Sequence, residues 1–289
     1  MDIAELKTFV IVAETGSFSV AAERLFITQP AVSKRIAALE TELGSPLFDR
    51  IGRSIQLTEA GTSLLPQSRE ILARIGDLKR TASNLNDYVT GSLNMATSHH
   101  IGLHRLPPAL RQFTQRYPDV ELSLEFLASE VACDAVLAGR LEMAIVTLPK
   151  AADPQLSVME VWTDPLYLVT GLDHPLVQQK TVTAEQLVAY PAILPGPNTV
   201  TRAEVVQALG VHANNLNVRM TSNYLEVLKT LASIGLGWSA LPKTMIDDSL
   251  SMVHVKKIEI KRRLGIVSHR QRTLSNAAQR MIRTIQDCA

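Results

Sequence analysis

Apolar and polar positions follow two different rhythms along the chain, and the change falls near residue 90. Before it, apolar residues recur every three or four positions, the spacing of helices with one buried face. IAELKTFVIVAE predicts a helix with Ile3, Leu6, Val10 and Ala13 on one side, ended by Gly16. SFSVAAERLF predicts a second, capped by Ser17 or Ser19, with Ala21, Ala22 and Leu25 inward. A third begins at Thr28, whose hydroxyl suits an N-cap, with Pro30 in the first turn where its missing N–H costs nothing. Val32, Ile36, Leu39 and Leu43 make its core stripe, Pro30, Lys34, Ala37 and Thr41 point the opposite way, and Gln29, Ser33 and Arg35 flank them. LFDRIGRSIQLT (47–58) predicts two short strands turning at Gly52. From Thr58 a long helix is predicted through a heptad row of Leu64, Ser68, Ile71, Ile75, Leu78, Ala82 and Leu85, with Pro66 inside it as a kink or weak first turn.

From Gly91 the texture changes. Short runs rich in β-branched residues (SLNMATS, VELSLEFLA, LEMAIVT, PLYLVTG, LGIVSHR) alternate with helical patterns such as LPPALRQFTQRY, TRAEVVQALG and SNAAQRMIRTIQ. That alternation predicts βαβ units with a parallel sheet, arranged as two α/β lobes. Trp162 and Trp238 read as packing residues.

Composition narrows the classes. The 289-residue chain is 46% apolar, enough for real cores, and has no run of eighteen apolar residues, so no membrane span is expected. MDIAELKTF lacks a cationic stretch followed by an apolar core, and the two cysteines, Cys133 and Cys288, lie far apart. Both features suit a cytoplasmic protein with separate structural thiols.

Net charge is +1, and residues 1–60 hold six cations against eight acids, so overall charge does not announce nucleic acid. Distribution matters more. No acid interrupts Arg24–Leu39 or Arg50–Thr58, so one face can be positive although the segment is not. Two helices joined tightly at Phe26–Thr28 read as a helix-turn-helix presenting the outer face of the second. There Gln29, Ser33, Lys34 and Arg35 can reach bases or phosphates, and Ala37 and Ala38 let the backbone approach closely. Arg50 and Arg53 frame the following hairpin as a cationic wing.

The pattern FxxVAExGSFSxAAERLxxxQPAVSKxIxxLExELGxPLFxRxGRxxxLTEAG, across residues 9–61, resembles the LysR-type transcriptional regulators. The resemblance implies a winged helix-turn-helix at 1–58, a linker or dimerisation helix at 59–90, and a two-lobed, periplasmic-binding-protein-like α/β effector domain at 91–289. Its lobes would be 91–164 with 264–289, and 165–263. It implies DNA contacts from Arg24, Thr28, Gln29, Pro30, Ser33, Lys34, Arg35, Arg50 and Arg53. It further implies homodimers or tetramers on an interrupted palindrome in double-stranded DNA, contact with RNA polymerase, and a small-molecule effector.

Ligands of open α/β sheets sit at the carboxyl ends of strands. The candidates are Thr97, Ser98, His99, Ser129 and Thr147 from one lobe, and Asn198, Thr199, Thr201, Thr221 and Ser222 from the other. Hydroxyls, an amide and helix N-termini favour an anion, so a small carboxylate is expected. For each residue the competing reading is an N-cap without a ligand role. In SHHIGLH, His100 and His104 are four apart, but no Glu lies between them and no Cys or Asp completes a set nearby, so neither metal nor cofactor is expected. No GxSxG, Walker loop or GxGxxG after a strand is present, which disfavours an enzyme. A solute-binding transport protein would lack the first 58 residues. A DNA-packaging protein would need no two-lobed cleft.

Overall fold

The computed structural model describes residues 1–51, 54–85 and 88–289, with Arg50, Ile51 and Ser54 described through their backbone alone. Two compact units are present. The first holds Met1–Asp87 with the short pieces Ala138–Arg140 and Arg272–Leu274, and the second holds the remainder.

The first unit opens with three helices, α1 (Ile3–Thr15), α2 (Phe18–Leu25) and α3 (Gln29–Leu43). Each begins with a side-chain cap: Asp2 accepts from Glu5 N–H, Ser17 from Val20 N–H and Thr28 from Ala31 N–H. Gly16 and Gly44 end α1 and α3 in the left-handed region, where a residue without Cβ is unstrained. Leu6, Phe9, Val12, Ala21, Val32, Ile36 and Leu39 form the core. Leu6 and Val10 of the predicted face of α1 are buried, but the core also takes in Phe9 and Val12, fully buried, while Ile3 is 55% exposed. Leu43, at the far end of the α3 stripe, is also exposed.

The hairpin β1 (Phe48–Ile51) and β2 (Ser54–Leu57) follows, and Phe48 packs edge-on against Phe9 and Phe18. α4 (Glu59–Asn84) then runs on through Pro66. A Cβ on Gly61 would meet the Leu47 carbonyl oxygen at 2.2 Å, so only glycine lets the helix start this close to the wing. The heptad row divides along its length. Leu64 packs on the three-helix core and Ser68 is buried, whereas Ile71, Leu78 and Leu85 are 42%, 71% and 84% exposed. Within the same unit the last turns of α4 hold the short pieces, Arg80 Nε donating to the Thr273 carbonyl and Asn84 Nδ2 to that of Leu274.

The second unit contains β3 (Gly91–Thr97), α5 (His99–His104), α6 (Pro107–Arg116), β4 (Val120–Phe126), α7 (Ser129–Leu137), β5 (Met143–Thr147) and β6 (Leu156–Gly171). It continues with α8 (Ala184–Val188), β7 (Ala192–Leu194), α9 (Val200–Leu209), β8 (Val218–Thr221), α10 (Leu225–Ser233), β9 (Ser239–Pro242), β10 (Leu250–Met252), β11 (Ile260–His269) and α11 (Asn276–Asp287). The main sheet has the order β10-β6-β11-β5-β3-β4, with β9 also on β6. Parallel pairing, predicted for the sheet as a whole, joins among the described strands only β3 with β4, β3 with β5, and the separate pair β7 with β8, besides isolated parallel bridges at Val182–Val255 and Ala192–Trp238. β6 and β11 pair antiparallel with each other and with their other neighbours, because they are the two stretches that carry the chain between lobes in opposite directions.

The positions 164/165 and 263/264 therefore fall inside continuous strands, beside an irregularity at Leu264/Gly265. Asp164 and Arg262 stand directly opposite each other there, both almost fully buried. Trp238 is fully buried in the second lobe, its Nε1 donating to the Tyr190 carbonyl.

Candidate nucleic-acid interface and ligand cleft

α3 carries a polar face because its caps and stripe fix which side is buried. Arg24, Thr28, Gln29, Pro30, Lys34, Ala37 and Ala38 are exposed, and Ser33 and Arg35 half-buried. Gln29 Nε2 donates to Ser33 Oγ at 3.0 Å, so these two polar groups form one patch. Among the described residues, none of Arg24, Lys34 and Arg35 makes an ion pair.

Five of the eight acids of this segment are engaged elsewhere. Asp2 and Glu5 form a capping box on α1, Glu14 pairs with Arg69, Glu40 accepts from Leu47 N–H at 2.7 Å, and Glu42 pairs with the amino terminus. A segment with more acids than bases thus keeps an unneutralised cationic helix face, aimed by the N-terminal end of α3 where phosphate binding is favoured. Phe26, in the turn between α2 and α3, takes a left-handed conformation (φ 53°) and is 96% exposed. Arg53 lies outside the described residues, as does the side chain of Arg50.

The second unit has a cleft of about 400 Å³ between its lobes. One wall is Ser98, His99 and His100 at the start of α5, Phe126 at the end of β4, Ser129 and Glu130 at the start of α7, and Thr147. The other is Pro195, Thr199, Val200 and Thr201 around the start of α9, with Asn223, Tyr224 and Leu225 at the start of α10. Arg262 joins them from β11.

Several hydroxyls already have partners. Thr199 Oγ1 accepts from Arg202 N–H and donates to the Gly196 carbonyl, Ser129 Oγ accepts from Thr147 N–H, and Thr201 Oγ1 accepts from Arg262 Nη1. Ser98 caps α5 without a side-chain cap bond. Across the cleft, the Glu130 carboxylate accepts from Val200 N–H at 3.1 Å, at the positive end of α9.

Asp164 holds two cations, Arg262 Nε at 2.8 Å and Arg105 Nη2 at 3.3 Å, and Arg262 Nη2 is buried without a hydrogen bond. Burial pulls the Arg262 guanidinium down and Asp164 opposes that shift. Burial, with help from Arg262, His104 and Arg105, pushes His100 down to about 3, so its imidazole is neutral at physiological pH. His99 meets Phe126 and Tyr224 edge-on, one aromatic from each lobe. Both cysteines are free thiols, and burial pushes Cys133 up to about 11, a poor setting for a reactive thiolate.

The structure brings Ser98, His99, Ser129, Thr147, Thr199 and Thr201 of the sequence candidates to the cleft. Thr97 is fully buried beneath it, its hydroxyl donating to the Ser98 carbonyl. Asn198, Thr221 and Ser222 fall outside its lining, since β8 ends at Thr221 and the chain reaches the cleft only at Asn223. Sequence reasoning missed Glu130, Arg262, Asn223 and Tyr224. Arg262 left one usable signal: in IEIKRRLGI the alternation Ile260, Arg262, Leu264 points the middle arginine inward.

Residues 3–62 match the bacterial regulatory helix-turn-helix protein of the lysR family, and residues 86–289 match the LysR substrate binding domain. A probable RuBisCO transcriptional regulator from Synechocystis is 31% identical over 97% of this chain and 84% of its own length. The transcriptional activator CmpR of the same genus is 30% identical over 95% of this chain and 91% of its own. An uncharacterised helix-turn-helix regulator from Azotobacter vinelandii, named for the ibpB-leuC intergenic region, is 63% identical over 37% of this chain and 75% of its own length. Among solved structures, full-length OxyR from Pseudomonas aeruginosa superposes with a TM-score of 0.75 at 23% identity, covering 100% of this chain and 96% of that one. CbnR in complex with its target DNA superposes at 0.65 with 22% identity, covering 100% of both.

Proposed function

The chain belongs to the LysR family of bacterial helix-turn-helix regulators, and from that membership we propose how its parts act together. It is a DNA-binding transcriptional regulator, not an enzyme. Two copies pair along the exposed Ile71, Leu78 and Leu85 row of α4 and present two α3 helices to one side of a duplex. The target is an interrupted palindrome, and dimers or dimers of dimers bound there contact RNA polymerase in the cytoplasm. CbnR, of the same fold, is a protein with a known target-DNA complex, which supports this use of the first unit.

The effector is a small organic anion, a carboxylate, held between the lobes. One observation carries this reading: a carboxylate, that of Glu130, already caps the Val200 amide across the cleft at 3.1 Å. An effector carboxylate suits the same chemistry, with the Ser98 hydroxyl and the unpaired Arg262 Nη2 as further donors. Binding shifts the lobes only as far as the effector prefers one arrangement over the other.

A panel of organic acids screened by thermal shift on the full chain tests this. We expect at least one acid to raise Tm. Ser98→Ala should weaken that acid by about 1.5–3 kcal/mol, the size of a hydrogen bond to a charged group, with operator binding unchanged. A normal response in Ser98→Ala would move the effector elsewhere.

A further inference from the structure

We propose that His100, His104 and Glu226 bind one divalent first-row transition-metal ion, of the Zn²⁺ class, that ties the two lobes together. His100 and His104 sit one turn apart on α5 of the first lobe, and their rings lie 4.8 Å apart. Glu226, in the first turn of α10 in the second lobe, faces them. One ligand atom from each residue lies within 4.8 Å of the others. Glu226 is the acid that the sequence around SHHIGLH lacks, supplied by a distant element.

The chemistry of the set fits. Two imidazoles and a carboxylate are a recurring Zn²⁺ donor set, and histidines four apart on a helix converge on one ion. The state of the groups fits as well. His100 is 96% buried, being 4% exposed, yet neither of its ring nitrogens has a hydrogen-bond partner among the described residues. Both Glu226 oxygens are likewise buried without a hydrogen bond. Buried polar atoms of this kind normally have partners, and a metal ion satisfies three groups at once. His99 Nδ1 lies 3.3 Å from Glu226 Oε2 and His104 Nε2 lies 3.6 Å from Glu226 Oε1, both without the geometry of a hydrogen bond.

Arg105 and Arg262 lie close by and would repel a cation, but both pair with Asp164, and Glu226 adds a second negative charge. Bonds of about 2.0–2.1 Å place tetrahedral ligand atoms roughly 3.3 Å apart. His104 Nε2 and Glu226 Oε1 are already 3.6 Å apart, so a bound ion pins α5 to α10 with little movement of the lobes.

The test uses the full chain, stripped with a chelator and dialysed. Zn²⁺ is titrated calorimetrically, and Co²⁺ is followed by the visible d–d bands of four-coordinate cobalt. We expect one ion per chain and a rise in Tm on Zn²⁺ addition. His104→Ala and Glu226→Gln, both at partly exposed side chains, should keep the fold and weaken binding by about 100-fold, at or above the upper end of outer-shell losses. His254→Ala, at an exposed histidine elsewhere, should bind as the parent does. Absence of binding by the parent chain, or equal binding by the His104 and Glu226 variants, would overturn the proposal.

Discussion

The outer face of α3 and the cleft between the lobes are both dense in polar side chains, and they use them in opposite ways. On α3, Lys34 and Arg35 make no ion pair among the described residues, while Glu14, Glu40 and Glu42 bond instead to Arg69, the Leu47 amide and the amino terminus. In the cleft, Thr199, Thr201, Ser129, Glu130 and Arg262 already bond within the chain, the Glu130 bond to Val200 running from one lobe to the other. The first is a surface that keeps its capacity for a partner. The second is a hinge whose internal bonds a ligand must match or replace. Specificity for DNA therefore rests on what α3 leaves unpaired, and sensitivity to a ligand on what the cleft can exchange.

The sharpest way to break the comparison is at the crossover strands. Arg262→Ala leaves Asp164 buried with only the partly exposed Arg105. We expect a loss of about 3–5 kcal/mol in unfolding free energy, the usual cost of orphaning a buried charge. A loss well under that range in urea denaturation would show that the pair is solvated.

The linker helix comes next. Leu78→Ala removes an exposed apolar group from each copy of α4, and burying one leucine contributes about 1.5–3 kcal/mol. The dimer should therefore weaken by about 3 kcal/mol, read as a shifted sedimentation equilibrium with the fold of each copy intact. Unchanged assembly would put the dimer contact elsewhere.

Smallest is Thr199→Ala, which deletes an N-cap and should cost about 1 kcal/mol of stability while effector affinity holds. A large fall in affinity with unchanged stability would show that the hydroxyl belongs to the ligand.

What could be read from the sequence follows the range of the interactions. The caps at Ser17, Thr28 and Thr58, the stop at Gly16 and the Val32–Ile36–Leu39 stripe depend on neighbours within a few residues, and all stand where the pattern allows them. The phase of α1 followed in part: Leu6 and Val10 are buried as the spacing requires, but the core extends to Phe9 and Val12 and leaves Ile3 exposed.

The cleft was half legible. Ser98 and Ser129 lie at strand ends as the α/β logic requires. Glu130 reaches α9 and Glu226 reaches α5 only through the return of β6 and β11 across the molecule. No local pattern encodes that return. Arg262 was hidden for another reason: a buried arginine sits among basic residues that look like a solvated run.

The central claim is that the unpaired cations of α3 meet a duplex groove. Operator affinity of the parent, Lys34→Ala and Arg35→Ala chains, measured across a salt series, tests it most directly. A cation on a phosphate should lower the log–log salt slope by about 0.9 when removed, and one on a base edge should cost about 1–3 kcal/mol and relax the sequence preference. The account expects one or the other for each residue, with folding and oligomer size preserved. Parent-like affinity and slope in both variants would contradict it.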